Sequence, residues 1–233
     1  MEKIVAALWA SEGQDRAAFK VALLERLPET LRSAGGTHVR LNLRDEAVAS
    51  GAQHIQRWQD PQQDAVVQFW LPSANPRFFA AIEPALAAVS GRFAAWLVCE
   101  STIIANTAHP PAPGERTSGW SQATFLAFRP DLTPEQADAH WRDHHTRVAI
   151  ETQANFEYVQ NRVVRPLTPE APAYDAFVEE CFPTAALTDP HAFFDAVGDE
   201  AKFQANLATM MDSCGGFIDF ARIDVIPTSQ YDF

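Results

Sequence analysis

The 233-residue chain is 47% hydrophobic and 21% charged, an ordinary globular balance with enough length to bury a real core. Its 18 basic and 30 acidic residues give a formal charge of −12, which repels phosphate backbones and anionic lipid and argues against nucleic-acid and membrane partners. Cys99, Cys181 and Cys214 are too few and too scattered for a disulfide framework or a CxxC metal site, so a cytoplasmic setting with reduced thiols is expected.

The start, MEKIVAALWASEGQ, is predicted as a first strand over Lys3–Ala10 and not as a leader. Phe19, Leu23, Leu24, Leu27 and Leu31 then recur at helical spacing within Asp15–Ala34, and Gly35-Gly36 end the helix. His38–Val48 and Ala65–Leu71 are predicted strands, Pro76–Val89 an alanine-rich helix, and Phe93–Ile104 a closing strand. The window around Phe78–Val98 is the most apolar, but Glu83, Pro84 and Arg92 interrupt it, well short of the ~20 apolar residues of a membrane span.

Asn106–Gly119, with Pro110, Pro111 and Pro113, has the composition of a connector. The same element order follows it. Ser121–Arg129 is a predicted strand, and a helix opens at an N-cap Thr133 with Pro134 in its first turn. Strands over Glu157–Arg165 and Tyr174–Phe182, helices over Pro190–Val197 and Glu200–Met211, and a last strand over Phe217–Ile226 complete the chain. An offset of about 119 residues sets Trp9 on Phe128 and Asn42 on Asn161, and Phe78-Phe79 corresponds to Phe193-Phe194. The expected fold is α+β: two βαββαβ units, 1–107 and 119–233, joined by a linker over 108–118 and packed sheet to sheet as a barrel with a cavity inside.

Chemistry concentrates in Arg129–Val148, RPDLTPEQADAHWRDHHTRV. Ala137, Trp141 and His145 lie four apart and share a helical face. A histidine on such a face is a candidate acid/base, since its pKa of roughly 6.5 lies near neutrality; a core histidine bonded to a carbonyl is the plainer alternative. By strand alternation Asp175, Phe177, Glu179 and Cys181 share one face, suited to a cavity wall. Tyr174, Ala176, Val178 and Phe182 share the other, suited to packing under helices. Tyr158, Gln160 and Arg162 form a third polar row. His54 and Trp58 sit in a segment that could cover a pocket or be an ordinary loop. His140, His144 and His145 lack the HExxH glutamate and an evident third ligand, so no metal is expected, and without GxGxxG or GxxxxGK no nucleotide cofactor either.

The motifs R-P-D-L-T-P-E (129–135), W-R-D-H-H (141–145), YVQNRV (158–163), YDAFVEECF (174–182) and DEAKF (199–203) together resemble the EthD family of dimeric α/β-barrel proteins. The first half resembles it in layout only and carries Glu25-Arg26 where the second has His144-His145, so one site per chain is expected. His144 itself departs from the aliphatic residue usual in the family. The resemblance implies a cofactor-independent enzyme acting on a small aromatic or polyketide-like compound. The leading expectation is a decarboxylase-type lyase with His145 as acid/base. His144, Tyr158 and Asp175 are the other candidate catalytic groups, and Trp141, Arg162, Phe177 and Glu179 the candidate substrate contacts. A cofactor-free monooxygenase or cyclase, or a non-catalytic binding or stress-response barrel, are the alternatives, and the sequence leaves open a homodimer of such chains.

Overall fold

In a computed structural model covering residues 1–233, all eight strands close into one barrel, every neighbouring pair antiparallel. The elements are β1 (Glu2–Trp9), α1 (16–33), β2 (Thr37–Leu43), β3 (Ala65–Leu71), α2 (Pro76–Phe79), α3 (Glu83–Ala87) and β4 (Arg92–Ile104). They continue as β5 (Trp120–Phe128), α4 (134–152), β6 (Glu157–Pro166), β7 (Ala176–Phe182), α5 (Pro190–Phe193), α6 (Glu200–Gly215) and β8 (Ile218–Asp232). A 3₁₀ helix, Glu46–His54, follows β2. No helix is long and apolar enough to cross a membrane.

The strand order β4-β1-β3-β2 is followed by β8-β5-β7-β6, and β6 returns to β4. Each half thus contributes four neighbouring strands in the same relative order. The seams β2–β8 and β4–β6 join the halves within one chain. The first long helix of each half contains a π-helical stretch, Ala22–Arg26 in α1 and His140–His145 in α4. Helices α2 and α5 both begin with proline behind a capping position, Asn75 and Asp189.

Several predicted boundaries shift for local reasons. The second strand ends at Leu43 and not Val48, because Asp45 accepts a hydrogen bond from the Ala47 N–H at 3.2 Å and turns the chain into the 3₁₀ helix. Pro76–Val89 is two short helices and not one; Pro84 has no N–H to give the carbonyl of Ala80. Helix α5 stops at Phe193, just before Asp195 takes a left-handed φ of 48°. Trp9 and Phe128 do not correspond: a register shift after Leu126 turns Phe128 towards the helices, while Trp9 points into the barrel.

Most of the barrel interior, where a cavity was expected, is filled by side chains, and space remains only at one mouth. Towards one end Val5, Trp9, Trp96, Phe125, Phe177 and Ile226 form a dry cluster. Beyond it the interior is polar: the fully buried Glu179 accepts from Asn42, Gln68, Gln230 and Arg40. Burial alone would keep a carboxyl neutral, but the Arg40 guanidinium and the three amides hold Glu179 below its usual range. On the outside, helices cover the sheet. The first half packs α1, α2 and α3 against it around Leu23, Leu27, Phe69 and Leu86, and leaves a cavity of about 800 Å³ between α1 and the 3₁₀ helix. The second half leaves a cavity of its own.

Candidate active site

Between the outer face of β5–β8 and helices α4 and α6 lies a cavity of about 550 Å³. Helix α4 positions its principal side chain. Thr133 caps the helix reciprocally with Gln136, Pro134 occupies the first turn, and Ala137, Trp141 and His145 all face inward. The predicted common face of Trp141 and His145 is therefore realised, through a π turn, a distortion often found at functional sites. His145 is 9% exposed and lines the cavity, whereas His144 points to solvent.

The His145 ring is fixed by a hydrogen bond between Nδ1 and the Ser213 hydroxyl at 3.0 Å and by Phe217, with ring centroids 4.9 Å apart. Burial, reinforced by the neighbouring His140 and His144, depresses its pKa to about 4, so at neutral pH it is an uncharged base. Tyr158 lies across the cavity wall on β6; its hydroxyl accepts from Gln160 Nε2 at 2.8 Å, and burial raises its pKa well above the ordinary phenol. It is a neutral hydrogen-bonding group at physiological pH.

Glu180 is the group that sequence reasoning missed. The adjacent glutamates of β7 point to opposite sides of the sheet: Glu179 into the barrel, Glu180 into this cavity. Glu180 accepts one hydrogen bond, from Asn155 Nδ2 at 2.9 Å, and burial raises its pKa to about 7. The signal was in the alternation, since a charged residue on the otherwise apolar Ala176–Val178–Phe182 face has to be explained.

The other candidates divide. Trp141 is buried and lines the cavity. Phe177 and Glu179 face the barrel interior and do not meet His145, because the open pocket lies on the sheet's helix side. Asp175 accepts from the Phe128 N–H at 2.8 Å and pairs with Arg162 at 3.4 Å; Arg162 also reaches Asp138 at 3.2 Å and lies over the Phe128 ring. Neither lines the cavity, so both hold the end of the sheet to α4.

The first half also contributes. Gln53, His54 and Gln56, from the 3₁₀ helix and the turn after it, complete the cavity wall. His54 Nε2 bonds the Leu187 carbonyl at 3.1 Å and its ring lies 4.7 Å from that of Trp120. Trp58 packs instead against Tyr174, at the apolar end of the barrel. His140 and His144 have ring centroids 4.9 Å apart, but His140 Nε2 is engaged by the Ser213 carbonyl, and no three His, Cys, Asp or Glu side chains converge as metal ligands.

Comparison with known structures places this architecture. An anthrone oxidase-like protein aligns over 99% of this chain and 90% of its own at 9% identity, with a TM-score of 0.54. A protein from Lactobacillus acidophilus, provisionally named a monooxygenase, aligns over 98% of this chain and 93% of its own, with 8% identity and a TM-score of 0.48. A search of curated proteins gave no match. The EthD domain model matches residues 129–221, the stretch that supplies Trp141, His145, Tyr158 and Glu180, so that this part of the chain carries an EthD domain.

Proposed function

We propose that the chain is a cofactor-independent enzyme that removes a proton from a neutral, aromatic or polyketide-like substrate held between α4 and the outer face of β5–β8. The observation that carries this is a buried, uncharged His145 sharing a cavity with a buried Glu180 and no lysine or arginine. With Nδ1–H donating to Ser213, Nε2 is the basic nitrogen, and Tyr158 or protonated Glu180 donates to the oxygen on which charge develops. Apolar walls from Trp141, Phe194, Met210 and Phe217 suit fused aromatic rings.

Oxidation fits this lining better than decarboxylation. A substrate carboxylate would find no cation to pair with on entering, whereas a phenol or an activated ring methylene enters uncharged. His145 takes the methylene proton, and the carbanion gives its electrons to dioxygen. Loss of water from the resulting hydroperoxide leaves a carbonyl, so that CH₂ plus O₂ yields C=O plus H₂O. The name of the anthrone oxidase-like structure agrees with this chemistry. Decarboxylation is the second reading, because the same cation-free walls would destabilise a carboxylate and favour its loss. Hydroxylated anthrones and aromatic acids, incubated under an oxygen electrode with carbon dioxide trapping, separate the two. Oxygen uptake without carbon dioxide is expected; carbon dioxide alone would assign the lyase, and neither gas a binding protein.

The pH dependence follows from the two buried groups. His145 is a competent base above about 4, and Glu180 a competent acid below about 7, so the turnover profile should be a bell with limbs near those values. Glu180→Gln should flatten the upper limb and leave the lower one. Stability should respond in opposite senses. The unfolded imidazole titrates near 6.5, so the fold loses stability as pH falls from there towards about 4. The unfolded carboxyl titrates near 4.5, so Glu180 costs stability as pH rises from there through about 7.

We also infer that the barrel is two copies of one βαββαβ unit, 1–107 and 119–233, with 108–118 as the connector. The repeated strand order, the paired π-helical stretches and the matched proline starts support it. In the first copy the cavity beside Phe19 and Leu23 has no histidine in its lining, so one pocket built on a helix-borne histidine exists per chain.

A further inference from the structure

A separate cavity, of about 480 Å³, opens at the polar mouth of the barrel and shares no lining residue with the helix-side pocket. Its charges do not balance. Arg40 alone serves three carboxylates: Glu157 at 2.7 Å, Glu179 at 3.1 Å and Asp232 through two bonds of 2.6 and 2.9 Å. Lys3, 5% exposed, serves Glu100 at 2.5 Å. Two cations therefore face four carboxylates in a largely buried network, an excess of two negative charges. Burial pulls the Lys3 ammonium below its ordinary range, which deepens the deficit wherever its proton is lost.

A second observation points the same way. Gln68 lines this cavity at 1% exposure; its amide nitrogen is spent on Asn42 and Glu179, while its carbonyl oxygen has no partner. A buried acceptor without a donor costs about 1–3 kcal/mol and is rarely left so. The site therefore has acceptors and negative charge in surplus, and what it lacks is a cation with N–H donors. No three His, Cys, Asp or Glu side chains converge as metal ligands here, so an inner-sphere metal does not match the layout. The half-buried Trp70 on the same rim offers an aromatic face, which attracts ammonium and guanidinium groups.

We propose that the barrel mouth binds a small organic cation, a primary ammonium or a guanidinium, whose N–H groups are accepted by Gln68 Oε1 and by Glu100 and Glu157, with Trp70 beside the charge. The site would be independent of turnover in the helix-side pocket. Isothermal titration of the full chain with agmatine and benzylamine tests it, with benzyl alcohol as the neutral control. Saturable binding of at least one of the two amines at one per chain is expected. Binding should weaken at least tenfold in Gln68→Leu and in Trp70→Leu and remain unchanged in His145→Gln. Should Gln68→Leu fail to fold, the rim variant Trp70→Leu decides. Absence of saturable binding by folded protein, equal binding of benzyl alcohol, or amine binding indifferent to the variants that fold would overturn the proposal.

Discussion

His145→Gln is expected to lower turnover by ~10²–10⁴-fold, the usual contribution of a general base. Glutamine keeps most of the volume against Phe217 and can still reach Ser213, but it has no nitrogen that takes a proton. Removing one partly compensated side-chain hydrogen bond should cost stability only about 1 kcal/mol, read from the denaturant midpoint. His144→Gln is the internal control, because His144 points to solvent one position along the same π turn. Steady-state rates of the two variants on an oxidised substrate check the assignment. Full activity in His145→Gln, or equal losses in both, would remove His145 from the chemistry.

Cutting the chain into 1–107 and 119–233 should abolish the folded barrel. Each fragment would expose both of its edge strands, β2 and β4 in one and β6 and β8 in the other, with their seam hydrogen bonds unmade. Each would also open its inner sheet face, where Trp96 of one half packs on Phe125 and Tyr174 of the other. The fragments should be insoluble or molten apart, judged by near-UV dichroism, and should recover a native spectrum when co-expressed. Two soluble, well-packed halves would show that the seams do not stabilise the fold.

Much of the architecture was legible because it depends on local signals. The Thr133–Pro134 cap, the four-residue spacing of Ala137, Trp141 and His145, and the apolar run of β3 each state their structure directly. The candidate site was legible only in part, because which side of a sheet holds the pocket depends on how tightly two layers close. Alternation put Glu179 on the inner face but passed over Glu180, and it could not tell that most of the barrel interior would be filled and the helix side left open. Phe177 does face the barrel interior, but packed among Phe125 and Trp96, while Asp175 precedes β7 and turns to the Phe128 N–H. The part played by His54 depends on the barrel closing, which brings the 3₁₀ helix of the first half against Leu187 of the second, a contact 133 residues apart. Nothing in a local window reports such a contact.

Chemistry in the helix-side pocket of the second half is tested most directly by mapping backbone and histidine-ring NMR shifts while a hydroxylated anthraquinone, a product-like ligand that cannot turn over, is titrated in. Saturable changes centred on Trp141, His145, Tyr158 and Glu180 are expected, with a smaller response at His54 and none at Phe177 or Glu179 beyond what relay through the sheet allows. Changes centred on the barrel interior, or spread evenly over the surface without saturation, would contradict it.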